Sequence, residues 1–493
     1  MKRINLIKIS IIASVAILGI TVSCDDDFLD RKPLGVAAEG DLGAGGFEES
    51  AFGLYGKMRT EGGITDFSRV WFQSIRSDDA MKGSTVTDAA ALGNTFDAFN
   101  YDASEGWITK GNWQGHYRLI FACNDLITAI DESGLTDEGT MINKAEALVI
   151  RAFAYFDLRR DFGEVPLILN KVVNPSDEIA PKSTIAQVDA QIVEDLEFAK
   201  QYLPMTWASY PGRATKGFAQ TLLGKLYLYQ QNWALAEAEL AEVMTYGYVL
   251  HNSFSDLFLQ SGDNSSESVF EVQFLRLAGV NYSNNYWETQ GVRGSGSWDL
   301  GWGFNVPTQG LVDAFEAGDP RKDATILYSG QTDGYGLTVP ASPPLAQPYW
   351  NRKAYSVPSE RVEYSENKNH WANIKILRYA DVLLMYAEAL NEQGQSSAAV
   401  DYINMVRARA RGGNAGVLPD VTATDQVSVR NAIKHERRVE FAMEGERFYD
   451  LVRWGDAVTV LGPLGYQPKN AFYPIPQYAI DQSGGVLVQN PNY

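Results

Sequence analysis

Helical periodicity recurs along this chain and restricts it to folds in which helices pack on helices. Apolar side chains at i, i+3, i+4 and i+7 spacing mark the helical pattern most clearly in one stretch, where further apolar residues stand between them. The residues with this spacing are Ala145, Leu148, Val149, Ala152, Tyr155, Phe156 and Arg159. Because little of the circumference is polar, the pattern predicts a helix that is buried on most sides and ends at Gly163.

Two further blocks predict pairs of antiparallel helices. Residues 214–246 contain Leu223, Gly224 and Tyr227 in the Leu-Gly-x-x-Tyr spacing of a tetratricopeptide repeat. Residues 378–390 predict another helix, which Gly394 ends before a partner at 398–410. Residues 113–161 suggest a third pair. Since one pair cannot bury its own apolar face, we expect the pairs to stack in a mainly α fold, a tetratricopeptide-like scaffold.

Residues 276–370 have a different composition. They hold 11 of the 44 glycines and 7 of the 19 prolines, together with four tryptophans and seven tyrosines. Glycine and proline at this density break helices and form turns. We therefore predict a loop-rich, irregular ligand-binding half on a helical scaffold that spans 41–275 and 371–456. The tail, 457–493, is predicted to be a strap packed over the scaffold.

The amino terminus predicts export and lipidation. A basic start, with Lys2, Arg3 and Lys8, precedes the short apolar run Ile9–Ile20, which is typical of a signal peptide over residues 1–23. Cys24 directly follows small residues, as in a bacterial lipobox, and the acidic segment 24–40 is predicted to be a lipidated tether. A plain secretory signal, with Cys24 free or paired with Cys123, remains the alternative.

Charge and cysteine content exclude some partners. The formal net charge of −19 argues against nucleic acid, since phosphate contacts need clustered lysine and arginine. Cys123, the second of two cysteines, lies in an apolar helical stretch, where we expect a buried unpaired thiol.

Few residue sets resemble catalytic sites. The sequence around His435 begins like a zinc-protease helix, but Val439 stands where the second ligand is needed. Glu440 and Glu444 could serve as the paired carboxylates of a glycosidase, although ion pairs with Arg437 and Arg447, three residues away, are the simpler interpretation.

Another acidic pair, Asp78 and Asp79, lies in a predicted loop. Ligand or cation binding, a solvated loop and catalysis all remain open for this pair.

Several segments taken together resemble the SusD-like (RagB/SusD) family of outer-membrane nutrient-binding lipoproteins of the Bacteroidetes. The matching segments are Cys24–Pro33 with Phe28-Leu29-Asp30, Arg151–Phe156, Phe162–Leu167, Gly212–Thr215, Arg378–Asn391, Glu436–Gly455 and Tyr473–Pro476. They run nearly from end to end, so the resemblance implies a single domain over 41–493.

The resemblance also implies a function. Members of this family capture oligosaccharides, or peptides in some branches, and deliver them to a SusC-like TonB-dependent transporter without cleaving them. It implies an outer-membrane location, with the lipid-anchored protein facing the cell exterior and no cofactor, although a structural calcium ion is not excluded by the sequence.

Aromatic and polar residues of the predicted loops are the candidates for ligand contact. Sugar rings have apolar faces that aromatic rings cover and hydroxyl edges that polar side chains bind. The stacking candidates are Trp71, Tyr282, Tyr286, Trp287, Trp298 and Trp350, and the edge candidates are Asp78, Asp79, Lys82 and Asn305. For each tryptophan, a place in the core is an equal alternative. Besides peptide capture and a glycosidase, an assembly protein without a small ligand remains a rival function.

Overall fold

A computed structural model describes residues 46–60, 62–106, 108–277, 280–368 and 370–493. In chain order its helices are α1 (Glu48–Arg59), α2 (Phe67–Val70), α3 (Ala90–Phe96), α4 (Ile108–Ser133), α5 (Glu138–Phe162), α6 (Ile185–Tyr202), α7 (Lys216–Tyr229), α8 (Trp233–Val243), α9 (Asn285–Gln290), α10 (Gln309–Ala314), α11 (Pro320–Thr325), α12 (Pro358–Tyr364), α13 (Tyr379–Glu392), α14 (Ser396–Arg411), α15 (Gln426–Glu440), α16 (Arg447–Arg453), α17 (Ala457–Leu461) and α18 (Gln477–Gln482). The predicted signal peptide, the lipidated Cys24 and the tether 24–40 lie outside the described residues.

The strands are short. They are β1 (Ala80–Gly83), β2 (Val165–Pro166), β3 (Lys182–Ser183), β4 (Ser268–Val272), β5 (Leu275–Leu277), β6 (Val280–Tyr282), β7 (Phe304–Pro307), β8 (Ile326–Tyr328), β9 (Tyr349–Asn351) and β10 (Ile374–Arg378). In the described ranges they form two-stranded antiparallel sheets, with the pairs β1–β7, β10–β4, β2–β3, β5–β6 and β8–β9.

The long helices form one continuous stack. Each of α4, α5, α6 and α7 packs on the helix that follows it, α8 packs on α13, and α13 packs on both α14 and α15. Helices that are separated by residues 244–378 in sequence are therefore neighbours in space. Their facing side chains form the largest apolar core, which includes Tyr155, Leu226 and Leu383. The predicted mainly α fold of stacked helix pairs is confirmed.

Local sequence signals set the helix boundaries. The Asp137 side chain accepts a hydrogen bond from the backbone N–H of Thr140 and so caps α5, which ends where Gly163 adopts a φ of +76°. In α7, Gly224 faces α8, and a Cβ built on it would lie 2.8 Å from Leu240 Cγ. The glycine is thus required for the close approach of this helix pair.

The irregular half is attached to the scaffold at both of its ends. Residues 244–378 contain the strands β4 to β10, the short helices α9 to α12 and turns. Strand β4 pairs with β10, which leads directly into α13, while β7 pairs with β1 in the register Ala80↔Pro307 and Gly83↔Phe304. The loops of this half are consequently positioned by residues that precede and follow it in the chain.

The C-terminal segment packs against the scaffold as an extended chain between short helical turns. The backbone N–H of Tyr473 donates to the carbonyl of Asp161 at 2.8 Å, and its ring lies with its centroid 4.1 Å from that of Phe72. In α4, Cys123 is buried, as expected, and burial raises the pKa of its thiol. Within the described residues no helix has the length and apolar character needed to cross a membrane.

Candidate functional site

Three near-parallel aromatic rings lie together in the irregular half. The ring of Tyr355 is 6.2 Å from that of Trp298 and 6.4 Å from that of Tyr335, between centroids, with interplanar angles of 21° and 25°. Tyr355 is buried, Trp298 is half-buried and Tyr335 is 45% exposed. We call these three residues the aromatic row. Its outer members present flat apolar surface to solvent, and its central member supports them.

The turn that carries Tyr335 is organised by one buried carboxylate. Asp333 accepts hydrogen bonds from the backbone N–H groups of Tyr335 (2.8 Å) and Leu337 (2.9 Å) and from the Tyr355 hydroxyl (2.8 Å). Burial raises the pKa of Asp333, but these donors outweigh burial and leave the pKa below its usual range. Gly334 and Gly336 flank Tyr335 with φ of +80° and +97°, so the turn projects the tyrosine outward.

Arginine side chains surround the aromatic row. Arg352 Nη2 donates to the Asp333 carbonyl at 2.6 Å, and its guanidinium lies 5.8 Å from the centre of the Tyr335 ring. Arg361 Nη2 donates to the Tyr355 hydroxyl at 3.2 Å. Burial raises the pKa of Tyr355, so this hydroxyl stays protonated. Arg352 has further N–H donors that can reach a polar group placed against Tyr335.

A second loop approaches the row from the side of Trp298. Arg293, which forms a β-bridge with Asp299 next to Trp298, pairs with Asp88 and donates to Ser84 Oγ at 3.2 Å. Asp88 belongs to the loop that follows β1. Residues from both parts of the chain thus form one polar edge on the loop that carries Trp298.

Two family models match the chain. The model described as the SusD family matches residues 266–471, and the model described as starch-binding associating with outer membrane matches residues 69–228. The chain belongs to the SusD family. The two matches together include most of the helical scaffold and most of the irregular half.

Three relatives are similar to this chain over nearly their full length. SusD-like protein P2 of Formosa agariphila is 27% identical, and the alignment covers 98% of this chain and 97% of the relative. A structure named as a laminarin binding SusD-like protein is 29% identical, with a TM-score of 0.76 over 91% of this chain and 99% of its own. Surface glycan-binding protein A of Bacteroides fluxus is 25% identical, with a TM-score of 0.74 over 93% and 100% of the two chains.

Three of the predicted stacking residues of this SusD family member belong to its interior. Trp71 and Trp350 are 0% exposed and Trp287 is 7% exposed. Trp71 packs on the rings of Phe96 and Phe304, and Trp287 Nε1 donates to a backbone carbonyl at 2.8 Å. The prediction that these rings stack on a ligand is corrected, because a ring that is covered on both faces has no surface to offer.

The other three stacking candidates do not lie together. Trp298 is in the aromatic row and remains a predicted ligand contact. Tyr282 lines a separate cleft, where its ring lies 4.7 Å below the Arg59 guanidinium. Tyr286 packs edge-on against Trp287, and burial raises its pKa to about 12. The sequence could not separate these environments because all three residues precede or follow turns in the same glycine-rich segment.

Asp78 and Asp79 join the loop before β1 to the helical scaffold. Asp78 pairs with Arg447 (2.8 Å) and Arg438 (2.9 Å), and Asp79 pairs with Arg438 at 2.7 Å. Arg447 holds the pKa of Asp78 low against the effect of burial, whereas burial raises the pKa of Asp79. Asp79 is buried and Asp78 is half-buried, so neither lies in a solvated loop, and the proposed roles in ligand edges or catalysis are corrected to ion pairing with these arginines.

The remaining edge candidates also have structural partners. Lys82 Nζ donates to the carbonyls of Gly83 (2.9 Å), Thr85 (3.0 Å) and Asp88 (2.7 Å), which uses all three donors of an ammonium group. Asn305 is buried, and its Nδ2 donates to another side chain at 2.7 Å. Both predictions of direct ligand contact are corrected, although Lys82 shapes the loop that carries Asp88.

The Glu440 and Glu444 pair is likewise part of an interior ion-pair network. Glu440 is fully buried and accepts from Arg321 and Arg378, each at 3.0 Å, and from Arg409. Although burial opposes ionisation, these arginines lower the pKa of Glu440. A general acid needs a raised pKa and access to substrate, so Glu440 does not fit the role of a glycosidase acid. The predicted structural role holds, but the predicted partners Arg437 and Arg447 are wrong.

Sequence reasoning missed Tyr335, Tyr355 and Arg352. The signal was present in the segment Asp333-Gly334-Tyr335-Gly336, where an aspartate followed by a tyrosine between two glycines is typical of a tight turn that exposes the ring. Within the described residues there is no group of three or more histidine, cysteine, aspartate or glutamate side chains that could hold a metal ion.

Proposed function

We propose that this SusD family protein binds a glycan on the aromatic row. The observation that supports this proposal is the near-parallel arrangement of Trp298 and Tyr335 on either side of Tyr355. An arginine donor, Arg352, lies beside these rings. Flat rings cover the apolar face of a sugar, while Arg352 and the Asp88–Arg293 edge are placed to bind hydroxyl groups. The similarity to a laminarin binding SusD-like protein over nearly the whole chain supports this assignment.

We further propose that the bound glycan is delivered to a SusC-like TonB-dependent transporter in the outer membrane. The description of one matching family, as associating with outer membrane, supports that location. The amino-terminal sequence supports a lipid anchor on Cys24, and an anchored protein that captures extracellular glycan faces the exterior. In this function the protein binds its ligand and passes it on without cleaving it.

A direct binding experiment tests the glycan assignment. Purified protein that begins after the predicted anchor is titrated with laminarin, with starch and with a pool of peptides. We expect a glycan to bind and Tyr335→Ala or Trp298→Ala to weaken the affinity about tenfold, since each loses a stacking contact and its buried area. Leu235→Ala is the matched control, because Leu235 is 43% exposed but lies on α8 of the scaffold.

The outcomes separate the rival functions. Binding of peptides but of no glycan would favour peptide capture. Unchanged glycan binding by both aromatic variants would reject the aromatic row as the site. If cells that carry either aromatic variant grow on the glycan as well as cells with the original protein, an assembly protein without a small ligand would be favoured. Release of reducing sugar from the glycan would favour a glycosidase.

The anchor and the partner need separate measurements. Mass spectrometry of the mature protein from outer membranes should show an acylated Cys24 at the amino terminus. Co-purification from those membranes should yield a TonB-dependent transporter, and a Cys24→Ala variant should be lost from the membrane fraction. An unmodified, soluble mature chain would contradict the proposed location without contradicting glycan binding.

A further inference from the structure

A second cleft lies along α1, on a different part of the molecule from the aromatic row. It has a volume of about 570 Å³ and lies between α1 and the segment that contains β4 and β5. Aromatic side chains form much of its wall, namely Phe52, Tyr210, Phe274 and Tyr282. Clefts of this size and character are typical of small-molecule sites. We call it the α1 cleft.

Two glycines keep one wall of the α1 cleft open. Gly53 and Gly56 are one turn apart on α1, and a Cβ built on either would meet no atom within 4 Å. A glycine inside a helix costs about 1 kcal/mol relative to alanine. No neighbouring element packs closely enough against Gly53 or Gly56 to need a glycine there. Gly224 differs, because α8 packs closely against it. The two glycines leave space that only a bound group would fill.

Arg59 supplies a cation at the end of this wall. Its Nη1 donates to the Gln273 carbonyl at 3.0 Å, and its guanidinium lies 4.7 Å from the centre of the Tyr282 ring. In the part of the chain that the structure describes, no carboxylate lies within ion-pair distance of Arg59. Partial burial lowers the pKa of Arg59.

Two other charged groups on the cleft wall, Arg213 and Glu271, already have ion-pair partners. Arg213 pairs with Glu146 at 2.7 Å and with Glu48, and Glu271 pairs with Lys375 at 2.8 Å. An incoming anion would therefore be attracted to Arg59. A charge-assisted hydrogen bond to a partly buried guanidinium is stronger than one between neutral groups.

We propose that the α1 cleft binds a small amphiphilic carboxylate, with its carboxylate on Arg59 and its apolar body along Gly53 and Gly56. The aromatic wall covers the apolar body from the opposite side. Glu49, which is exposed at the far end of the cleft, lies ten residues from Arg59, or about 15 Å along the helix axis. It disfavours a second anionic group there, so the ligand carries one carboxylate at one end.

Calorimetric titration with phenylbutyrate and with the neutral phenylbutanol tests this proposal. We expect phenylbutyrate to bind at millimolar concentration or below, and phenylbutanol to bind about tenfold more weakly, since it lacks the charge-assisted bond. Arg59→Gln should remove this preference for the acid while leaving phenylbutanol binding unchanged.

A filled cleft provides the second test. Gly56→Leu should abolish binding of both compounds. Gly111→Leu is the matched control, because Gly111 is also a helical glycine with no atom within 4 Å of an added Cβ, but it lies on α4 away from the cleft. Circular dichroism of both variants checks that each is folded.

Three results would overturn the proposal. These are absence of phenylbutyrate binding by the unmodified protein, binding that survives Gly56→Leu, and equal affinity for the acid and the alcohol. Displacement of phenylbutyrate by laminarin would also overturn it, because the cleft would then belong to the glycan site. The cleft shares no residue with the aromatic row, so Tyr335→Ala should leave phenylbutyrate binding unchanged, and failure of one site does not imply failure of the other.

Discussion

Replacing Glu440 with glutamine should lower the free energy of unfolding by about 3 kcal/mol, near the lower limit for a broken buried ion pair. The carboxylate has no exposed surface and accepts hydrogen bonds from Arg321, Arg378 and Arg409. Glutamine keeps the shape of glutamate but removes its charge and one acceptor group. Three buried guanidinium groups would therefore lose part of the negative charge that compensates them.

The magnitude follows from what remains in the network. Removing one member of a buried ion pair costs about 3–5 kcal/mol, since the other charge stays buried without compensation. Here each arginine retains a second carboxylate, because Arg321 also pairs with Glu436, and both Arg378 and Arg409 also pair with Glu267. The loss should consequently fall near the lower end of that range.

The same network gives the effect a defined pH dependence. The arginines hold the folded-state pKa of Glu440 below its usual range. A carboxylate with a lowered pKa stabilises the folded state above its unfolded pKa of about 4.3, and this contribution is lost as the pH falls toward the folded value. The difference in the free energy of unfolding between the original protein and the Glu440→Gln variant should thus be largest at neutral pH and decrease in acid.

Urea denaturation followed by tryptophan fluorescence, at neutral and acidic pH, measures both quantities. Glu132→Gln is the matched control, since Glu132 is exposed near the end of α4, and it should change stability by less than about 0.5 kcal/mol. A loss below about 1 kcal/mol for Glu440→Gln would refute the reasoning. A stable variant that loses a hydrolytic activity would instead restore the catalytic interpretation.

Three further substitutions test local features of the fold. Gly224→Ala places a Cβ 2.8 Å from Leu240 Cγ and should destabilise the protein by about 1–3 kcal/mol in thermal unfolding, whereas Gly111→Ala, in open space, should stabilise it by up to about 1 kcal/mol. Burial raises the pKa of Asp97 to about 7 although the backbone N–H of Lys82 donates to it, so the folded state binds this proton more tightly and stability falls as the pH rises toward 7. Asp97→Asn should therefore increase the free energy of unfolding above about pH 7 and have little effect near pH 4.

The scaffold could be predicted because its signals are local. The periodicity of α5 and the glycine in the Leu223–Tyr227 motif depend on residues within one or two helical turns, and the structure places helices and a close contact where these patterns indicate. Burial at Trp71 and Trp350 could not be predicted in the same way. A large aromatic residue near turns is compatible with the core and with a binding surface, and only tertiary packing decides between them.

Tyr335 illustrates the opposite error, because it is a candidate ligand contact that was not predicted from the sequence. Its turn is encoded locally by Asp333 and two glycines, but its importance comes from the alignment with Tyr355 and Trp298, which are distant in sequence from one another. No periodic pattern connects residues in three separate loops. The segment could be recognised as a turn from sequence, whereas its membership in an aromatic row required the fold.

Ion pairing shows why neighbours in sequence can be the wrong partners. Glu440 and Arg437 are three residues apart on α15, a spacing that stabilises exposed helices. In the structure, Arg437 instead pairs with Asp381 at 2.6 Å and Asp450 at 2.8 Å. The carboxyl-terminal turn of α15 is buried, so each of its charges must be compensated from a packed neighbour, and helices at different angles supply different partners.

These long-range pairs explain how an irregular half can hold a defined position. Arg321 belongs to the irregular half and pairs with Glu436 and Glu440 of α15, while Lys353 of the same half pairs with Glu444 at 2.7 Å. An apolar contact between loops and helices tolerates sliding, but a buried charge that loses its partner costs several kcal/mol. The network therefore permits few alternative placements. Because Lys353 immediately follows Arg352, the same contacts that fix the irregular half on the scaffold also fix a donor beside Tyr335, and glycan affinity should fall when Glu444 is replaced even though Glu444 lies outside the aromatic row.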